Sequence, residues 1–371
     1  MATENTFDLI VIGGGPAGTS AAITAARTGA KVLLLEAGRL PRHKVCGEFV
    51  SAESLALLTS LLAPHAERLL DPAPRISQSR LFLDGRIVST PVNPPAASLA
   101  RLDLDFALLK SAEAQGVTVR SQTAAQSISE DKLSASSFRV ATTAGEFTAR
   151  AVINASGRWS RLNPVSSSKP GARWIGLKAH FSEPAPSDSV DLYFFDGGYC
   201  GVQPVRLLDD DNPHRINACA MVKAETASTL AEVFALHPAL RERSANWRPL
   251  SDPVSTSPLV FRAPHPESGG VLLAGDAATF VDPFVGDGIS LALRSGALAA
   301  ECLIPFLRGH TPLDAAVRQY AGAYRKRFAS VFNTSSKIRR MLLLPRPVRK
   351  AALSVLQHTP AVTSYLVEKT R

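Results

Sequence analysis

The sequence predicts an α/β protein: a Rossmann-type dinucleotide-binding domain, an antiparallel-sheet domain inserted into it, and a helical C-terminal region. Three features carry this. Residues 7–36 read strand, glycine loop, helix, strand, acid. A second pattern of buried strand, Gly-Asp and helix follows at residues 271–307. Between them, strand-like runs at 174–181, 190–195, 199–206 and 216–223 succeed one another with turn residues between, the spacing of an antiparallel sheet. A chain of 371 residues has room for two domains on a large core.

The first element is an apolar run, residues 9–12, with the composition of a strand buried on both faces. It ends in Gly13-Gly14-Gly15-Pro16-Ala17-Gly18, a G-x-G-x-x-G motif. Gly13 suits the tight turn, Gly15 the close approach of backbone to a pyrophosphate, and Gly18 the packing of helix on strand. Ala17 begins a small-residue helix, 17–28, whose N-terminal N–H groups and dipole favour an anion. The strand 31–35 then ends at Glu36-Ala37, where a carboxylate accepts from ribose hydroxyls and disfavours a 2′-phosphate. The glycine motif alone is a weak signal. Strand, glycines, helix, strand and acid in this order specify an adenine dinucleotide site.

Next comes a basic loop, Pro41-Arg42-His43-Lys44, then Val45-Cys46-Gly47-Glu48. Ser51 is placed to cap a helix over 52–62. Asp84-Gly85, between runs 76–83 and 86–90, reads as a hairpin turn. Asn93-Pro94-Pro95 is expected to break the chain. Arg101 opens a helix that Gly116 closes. Short strands are expected at 117–120, 125–129, 138–142 and 146–149, then a separate buried strand at 151–153 running into Asn154-Ala155-Ser156-Gly157. A Ser- and Pro-rich stretch, 163–171, marks a domain boundary. A helix near 227–236 and Pro-rich residues 249–266 lead to a strand at 271–274, Gly275-Asp276, Asp282-Pro283 and a helix at 286–307. The tail reads as three or four short helices broken at Pro312, Pro345, Pro347 and Pro360. The predicted division is 1–72, 100–162 and 266–317 for the dinucleotide-binding domain, 73–99 and 163–265 for the sheet domain, and 318–371 for the tail.

No apolar run approaches a membrane span, and strand one begins almost at once, with no signal-peptide pattern before it. Cys46, Cys200, Cys219 and Cys302 are widely spaced without a Cys-x-x-Cys. That argues against a disulfide scaffold or a metal site and suits a reducing cytoplasm. The net charge is +9, yet residues 318–371 alone hold 12 Lys or Arg and one acid, Glu368, so the body is slightly negative. Ile338, Met341 and Leu342 lie at helical spacing beside Lys337, Arg339 and Arg340. This basic amphipathic pattern suits a membrane surface or an acidic carrier protein; a solvated helical face explains it equally well. Aromatic residues are too sparse there for nucleic-acid stacking, so no nucleic-acid partner is expected.

Three separated segments, the fingerprint, the strand–Asn-Ala-Ser-Gly segment and residues 274–296, resemble those of flavoenzymes built like p-hydroxybenzoate hydroxylase. Within that group the chain looks most like the geranylgeranyl reductase family, with some likeness to flavin-dependent halogenases. The resemblance implies FAD. Asp276, after Gly275, would bind a ribityl hydroxyl. Pro283, Gly286, Gly288 and Ile289 would set a helix N-terminus at the flavin's pyrimidine edge, where its N–H groups stabilise negative charge. It also implies that Gly157 lies by the cofactor, Arg101 on its phosphates or ribityl chain, Arg42 and Lys44 in a loop beside it, and Cys46-Gly47 next to the ring. A single dinucleotide fingerprint implies that electrons come from NAD(P)H visiting transiently or from separately reduced flavin. Ser156-Gly157 replaces the hydroxylases' Asp-Gly, which counts against NAD(P)H-driven aromatic hydroxylation.

Two candidates for chemistry follow. The Cys46 thiol is a proton donor or redox partner if Lys44 and His43 supply positive charge, or else a small buried hydrophobe. Residues 194–205 resemble the reductase family's sheet motif along a lipid pocket, with Gly201 near where Trp is expected. Tyr199 and Cys200 are expected to line that pocket, Tyr199 also as a catalytic candidate. Trp174 and Lys178 alternate on one strand and are expected to look into the same cavity. Gly47-Glu48 and Asp282-Pro283 fit a halogenase, but no lysine lies between Lys44 and Lys110 to guide hypohalous acid. The implied activity is an FAD-dependent oxidoreductase acting on a lipophilic or carrier-tethered small molecule by hydride transfer at a C–C bond. Oxygen insertion at the reduced flavin is the alternative, and halogenation ranks third. The expected location is cytoplasmic, peripheral to the membrane.

Overall fold

The computed structural model describes residues 5–130, 138–158, 162, 173–210, 212–256, 259, 263–280, 284 and 286–342, with side chains to 336. The first part runs β1 Thr6–Ile12, α1 Pro16–Ala26, β2 Val32–Leu35, β3 Phe49–Val50, α2 Leu55–Leu62, α3 Glu67–Leu70, β4 Arg75–Leu83, β5 Arg86–Ser98, α4 Arg101–Ala114, β6 Thr118–Arg120, β7 Ala125–Glu130, β8 Phe138–Thr142 and β9 Gly145–Asn154. Then come β10 Trp174–Ser182, β11 Ser189–Phe195, β12 Gly198–Pro204, β13 Arg215–Lys223, α5 Leu230–Ala235, α6 Pro238–Ser244, β14 Arg248–Pro249 and β15 Val254–Thr256. The chain returns through β16 Glu267–Ser268, β17 Val271–Leu273, α7 Gly288–Leu307 and α8 Leu313–Leu342.

One sheet has the order β16-β17-β9-β1-β2-β6, with β7 and β8 joined through β9. β1 lies at its centre, parallel to β2 and β9. Because successive strand residues face opposite ways, Leu9 and Val11 pack under α1, α4, α7 and α8, while Ile10 and Ile12 join Phe138, Val140 and Phe147 on the other side. That is why the run 9–12 is apolar throughout. The strands expected separately at 146–149 and 151–153 are one, β9; its first half pairs with β8 and its second with β17.

The second sheet has the order β14-β10-β13-β12-β11-β4-β5-β3, with β15 on β10. Helices α5 and α6 cover one face; the other faces the site. It is not wholly antiparallel, since β11 pairs with β4 in parallel. Nor does Asn93-Pro94-Pro95 end the hairpin. β5 continues to Ser98, and the register jumps from Gln78↔Pro91 to Ile76↔Ala96. Proline gives a ladder no N–H, so it is tolerated within such an irregularity. The boundary expected at 163–171 lies outside the described residues.

In the tail, α8 begins just after the expected break at Pro312 and runs unbroken for 30 residues to Leu342, longer than the short helices expected, while Pro345, Pro347 and Pro360 lie outside the described residues. Tyr320, Tyr324 and Phe328 bury one side of it on the core, so tertiary packing sustains its length. Among the described residues α7 is the one helix long and apolar enough to cross a membrane, and 78% of its apolar window is buried inside the fold.

Candidate active site

Gly13 ends β1 at φ +107°, and a Cβ there would lie 2.3 Å from the Ala155 carbonyl oxygen. A Cβ on Gly18 would lie 1.8 Å from the Gly13 carbonyl oxygen. Packing therefore demands glycine at both. Gly15 differs, because a Cβ built on it meets nothing nearer than Arg101 Nη2 at 3.9 Å. It is the N-cap of α1, with Pro16 next and no acid in the first turn. Open space, unpaired helix-start N–H groups and a guanidinium converge there, which fits a pyrophosphate.

Glu36 is buried, with Oε2 accepting from Gly14 N–H at 2.8 Å. Its Oε1 accepts from Gly38 N–H at 2.8 Å and Arg42 Nη2 at 3.0 Å. A carboxylate has about four lone-pair sites, so room remains for one ribose hydroxyl. Arg42 thus stands on Glu36, and Ala37 beside it is exposed.

The distant second segment meets the first. A Cβ on Gly275 (φ +59°) would come within 2.9 Å of Ala17 Cβ, and one on Gly296 within 2.0 Å of the Ala17 carbonyl oxygen. Ser295 Oγ accepts from Gly275 N–H at 2.9 Å. These small residues let α7 cross α1 at contact distance, so both segments border one cleft. Asp276 is partly exposed there, with Arg158 Nη1 3.9 Å away. Gly157, at φ +79°, precedes that arginine. Gly288 is exposed at the start of α7, Ile289 is buried behind it, and Gly286 packs on Phe49. Pro283 and Asp282 lie outside the described residues.

Cys46 is half-buried at the junction with the second sheet. Its sulfur accepts from Glu48 N–H at 3.3 Å. Asn217 Nδ2 donates to the carbonyls of Cys46 and Gly47 at 3.0 and 2.9 Å. Arg101 Nε and Nη2 reach Asp105 at 2.7 and 2.8 Å. Burial disfavours the Arg101 charge, but Asp105 and a bond to the Cys46 side chain outweigh it and raise its pKa. Lys44 also binds Asp105, at 2.7 Å. Asp105 is fully buried, yet these two cations hold it below the usual carboxylate range. His43 faces Lys178 at 3.4 Å and the His180 ring at 5.1 Å. Burial and then those two neighbours lower it to about 4, so it is neutral at physiological pH. Arg101 is thus a cation at the thiol that was not expected there, Lys44 is held on the same Asp105, and His43 supplies no charge.

Behind Cys46 lies a group that the sequence reading treated only as part of a halogenase-like dipeptide. Glu48 is 0% exposed, with φ +63°. Its carboxylate accepts from Lys178 Nζ at 2.7 Å, His180 Nε2 at 2.8 Å and Arg101 N–H at 2.9 Å. Burial would raise its pKa, but Lys178 and His180 bring it down to about 2. His180 is itself lowered, chiefly by burial, with Glu48 opposing. It is thus neutral, with its proton on Nε2, while Nδ1 faces Arg215 Nη1 at 3.4 Å.

Strand register puts Trp174, Gly176, Lys178 and His180 on one face with Met221, Cys219 and Asn217, and with Tyr199, Gly201 and Gln203. This face has two halves. Tyr199 and Met221 pack with Phe194, Leu83 and Phe280, and Trp174 and Phe284 lie against them. Lys178, His180 and Asn217 instead grip residues 46–48. Gly201 and Cys219 keep partial exposure in central strands, so the cleft reaches the sheet between the halves. Two expectations change here. Lys178 shares the face of Trp174, but its side chain is 1% exposed and its ammonium is held by Glu48, so it does not line a substrate cavity. Cys200 is on the opposite face, under α5 and α6, fully buried with its thiol pushed up to about 12 by desolvation. Adjacent strand residues cannot share a face, and Tyr199 takes the site side. Cys219 is the cysteine that joins it.

Residues 6–331 match the family model described as FAD binding domain. The chain belongs to this FAD-binding family. It is an FAD-dependent oxidoreductase with the α/β fold of the p-hydroxybenzoate hydroxylase group. Its residues fit that cofactor: an open Gly15 flanked by Arg101, a Glu36 with acceptor capacity left, and a partly exposed Asp276. Menaquinone reductase of Mycobacterium tuberculosis is 26% identical over 99% of this chain and 93% of its own. Digeranylgeranylglycerophospholipid reductase 2 of Methanopyrus kandleri is 25% identical over 89% of this chain and 85% of its own. Among solved structures, the flavin-dependent brominase Bmp2 superposes with TM-score 0.80 at 18% identity, covering 98% of this chain and 93% of that one. A geranylgeranyl bacteriochlorophyll reductase-like protein from Thermoplasma acidophilum gives 0.73 at 20%, covering 93% and 90%. At these identities the structural likeness speaks to fold.

Proposed function

We propose that this flavoprotein transfers hydride between FAD and a C–C bond or quinone ring of a lipophilic small molecule, in the direction of reduction. The observation that carries this reading is the apolar half of the sheet face, where Phe194, Tyr199, Met221 and Phe280 bury one another and Phe284 lies partly exposed against them, an apolar wall with few polar groups. The two reductase relatives are named for a menaquinone and for an unsaturated isoprenoid lipid, which agrees with such a surface. Bound FAD would supply the two-electron chemistry. The chain's own residues orient it: the α1 N-terminus and Arg101 at the phosphates, Glu36 at the ribose, Asp276 at the ribityl chain. Cys46, between Arg101 and the sheet, is the candidate proton donor, and Tyr199 borders the substrate side. NAD(P)H or separately reduced flavin supplies electrons.

The halogenase reading finds no support in the lysine of the sheet face, since Lys178 is buried on Glu48. Exposed Arg325, Lys326 and Arg327 on α8 favour docking on an anionic lipid surface, from which a lipophilic substrate would enter; an acidic carrier protein is the other source. The deciding experiment reduces the purified flavoprotein without oxygen and then adds a menaquinone, a polyprenyl alkene, or oxygen. Flavin reoxidation by the first two, with a product two hydrogens heavier, supports the reading. Reoxidation by oxygen alone, with an oxygenated product, points to a monooxygenase.

A further inference from the structure

We propose that Glu48 is a positioning residue of this site: one buried carboxylate sets the Cys46 thiol, the Arg101 helix and the substrate sheet against each other. The inference concerns how this chain shapes the FAD site and rests on FAD occupying it. Four observations converge. First, Glu48 sits at φ +63°, a conformation costly for a side-chain-bearing residue and kept where the surroundings over-determine it. Leu99 N–H donates to its carbonyl at 2.8 Å, and Asn217 holds the two preceding carbonyls.

Second, its backbone N–H donates to the Cys46 sulfur at 3.3 Å. Third, α4 begins after Ala100, which has no capping side chain. Glu48 Oε1 performs that task from 53 residues away, accepting from Arg101 N–H at 2.9 Å. The carboxylate thereby holds the start of the helix that carries Arg101, whose guanidinium is oriented by Asp105. Fourth, its other bonds come from β10 of the second sheet, through Lys178 and His180. The chain order is therefore thiol, turn, clamp, and the clamp touches phosphate-side and substrate-side elements at once. Lys178 balances the charge; the position is set by the span of the carboxylate between α4 and β10.

These two roles separate by experiment. Glu48→Gln, Lys178→Met and the double variant are compared by thermal unfolding, by FAD affinity of the apoprotein, and by Cys46 alkylation with iodoacetamide, using Cys46→Ala as the blank for the other thiols. Loss of one charge-assisted bond corresponds to about tenfold or more in an equilibrium. Glu48→Gln should weaken FAD binding by about that factor and accelerate Cys46 alkylation several-fold, because the amide has one acceptor oxygen and cannot serve Arg101 N–H and Lys178 through one atom and His180 Nε2 through the other. The double variant removes the unpaired buried charge, so thermal stability should recover while FAD affinity and alkylation stay altered. Recovery of all three in the double variant would reduce Glu48 to half of a structural ion pair and overturn the proposal. Unchanged affinity and alkylation in Glu48→Gln would do the same. If Glu48→Gln fails to fold, the double variant decides alone. Alkylation of the apoprotein does not depend on FAD, so its outcome is separable from failure of the hydride-transfer reading.

Discussion

Lys178→Met is the most direct probe of how this site is held together. Methionine keeps the stem of the side chain and removes the ammonium that lies 2.7 Å from Glu48. At an effective dielectric of about 20, that contact is worth about 6 kcal/mol before desolvation is charged against it. A carboxyl held at about 2 instead of 4.5 gains about 3 kcal/mol for its charged form. Deleting one partner of a buried pair costs about 3–5 kcal/mol, in the same range. The pH dependence has a definite sign. Glu48 is depressed in the folded state, so its contribution is complete above about 4.5 and fades as pH falls toward 2. His43 and His180, also depressed, add an earlier loss as pH drops below their ordinary 6.5, because the unfolded chain takes up their protons first. In Lys178→Met, Glu48 protonates at higher pH, and the penalty disappears once it is neutral. The assay is urea unfolding of parent and variant at pH 7, 5 and 3.5. The variant should be about 3–5 kcal/mol less stable at pH 7, and the gap should narrow with acidity. A variant as stable as its parent at pH 7, or a gap independent of pH, would refute this account of the Glu48 clamp.

Other outcomes are expected from the same geometry. Gly15→Ala should fold with nearly parental stability, since its Cβ has open space, yet lose most FAD affinity; Gly18→Ala, whose Cβ would overlap a carbonyl oxygen, should lower the melting temperature. The ratio of protein-bound flavin absorbance to protein, with melting curves, tells them apart. Cys46→Ala should retain FAD but lose most turnover, whereas Cys200→Ala should cost only packing stability, about 1 kcal/mol, with turnover retained. Asp276→Ala should weaken FAD binding, read by fluorescence titration, without changing the melting temperature of the apoprotein, because its side chain is partly exposed. Replacing Arg325, Lys326 and Arg327 with glutamate should abolish co-sedimentation with vesicles containing anionic lipid, and equal retention at low salt would dismiss the lipid-docking proposal.

Much of the cofactor half is written locally in the chain. Strand period, glycine spacing and an acid at a strand end each act over a few residues, so residues 7–36 announce their own fold. Alternation in β10 could also have flagged the clamp: Lys178 and His180 recur at period two among apolar Leu177 and Ala179, on the face of Trp174. What no local pattern reveals is which distant group answers them. The pairing of Glu48 with Lys178 joins residues 130 apart, and the capping of α4 by the same carboxylate spans 53. Tyr199 and Cys200 were told apart by the register of β12, and the cation beside Cys46 by the way α4 docks.

From the sequence alone came the FAD cofactor and the strand, glycine turn, helix and strand that end at Glu36, because backbone geometry and helix-end electrostatics are set by near neighbours. Tertiary structure alone decided that Lys44 is held on Asp105 and His43 is neutral, that one lysine is buried as a counter-ion, and which half of the sheet is apolar. Those depend on the closure of two sheets around the cleft, and burial, which sets both charge state and partner, exists only once that closure is made.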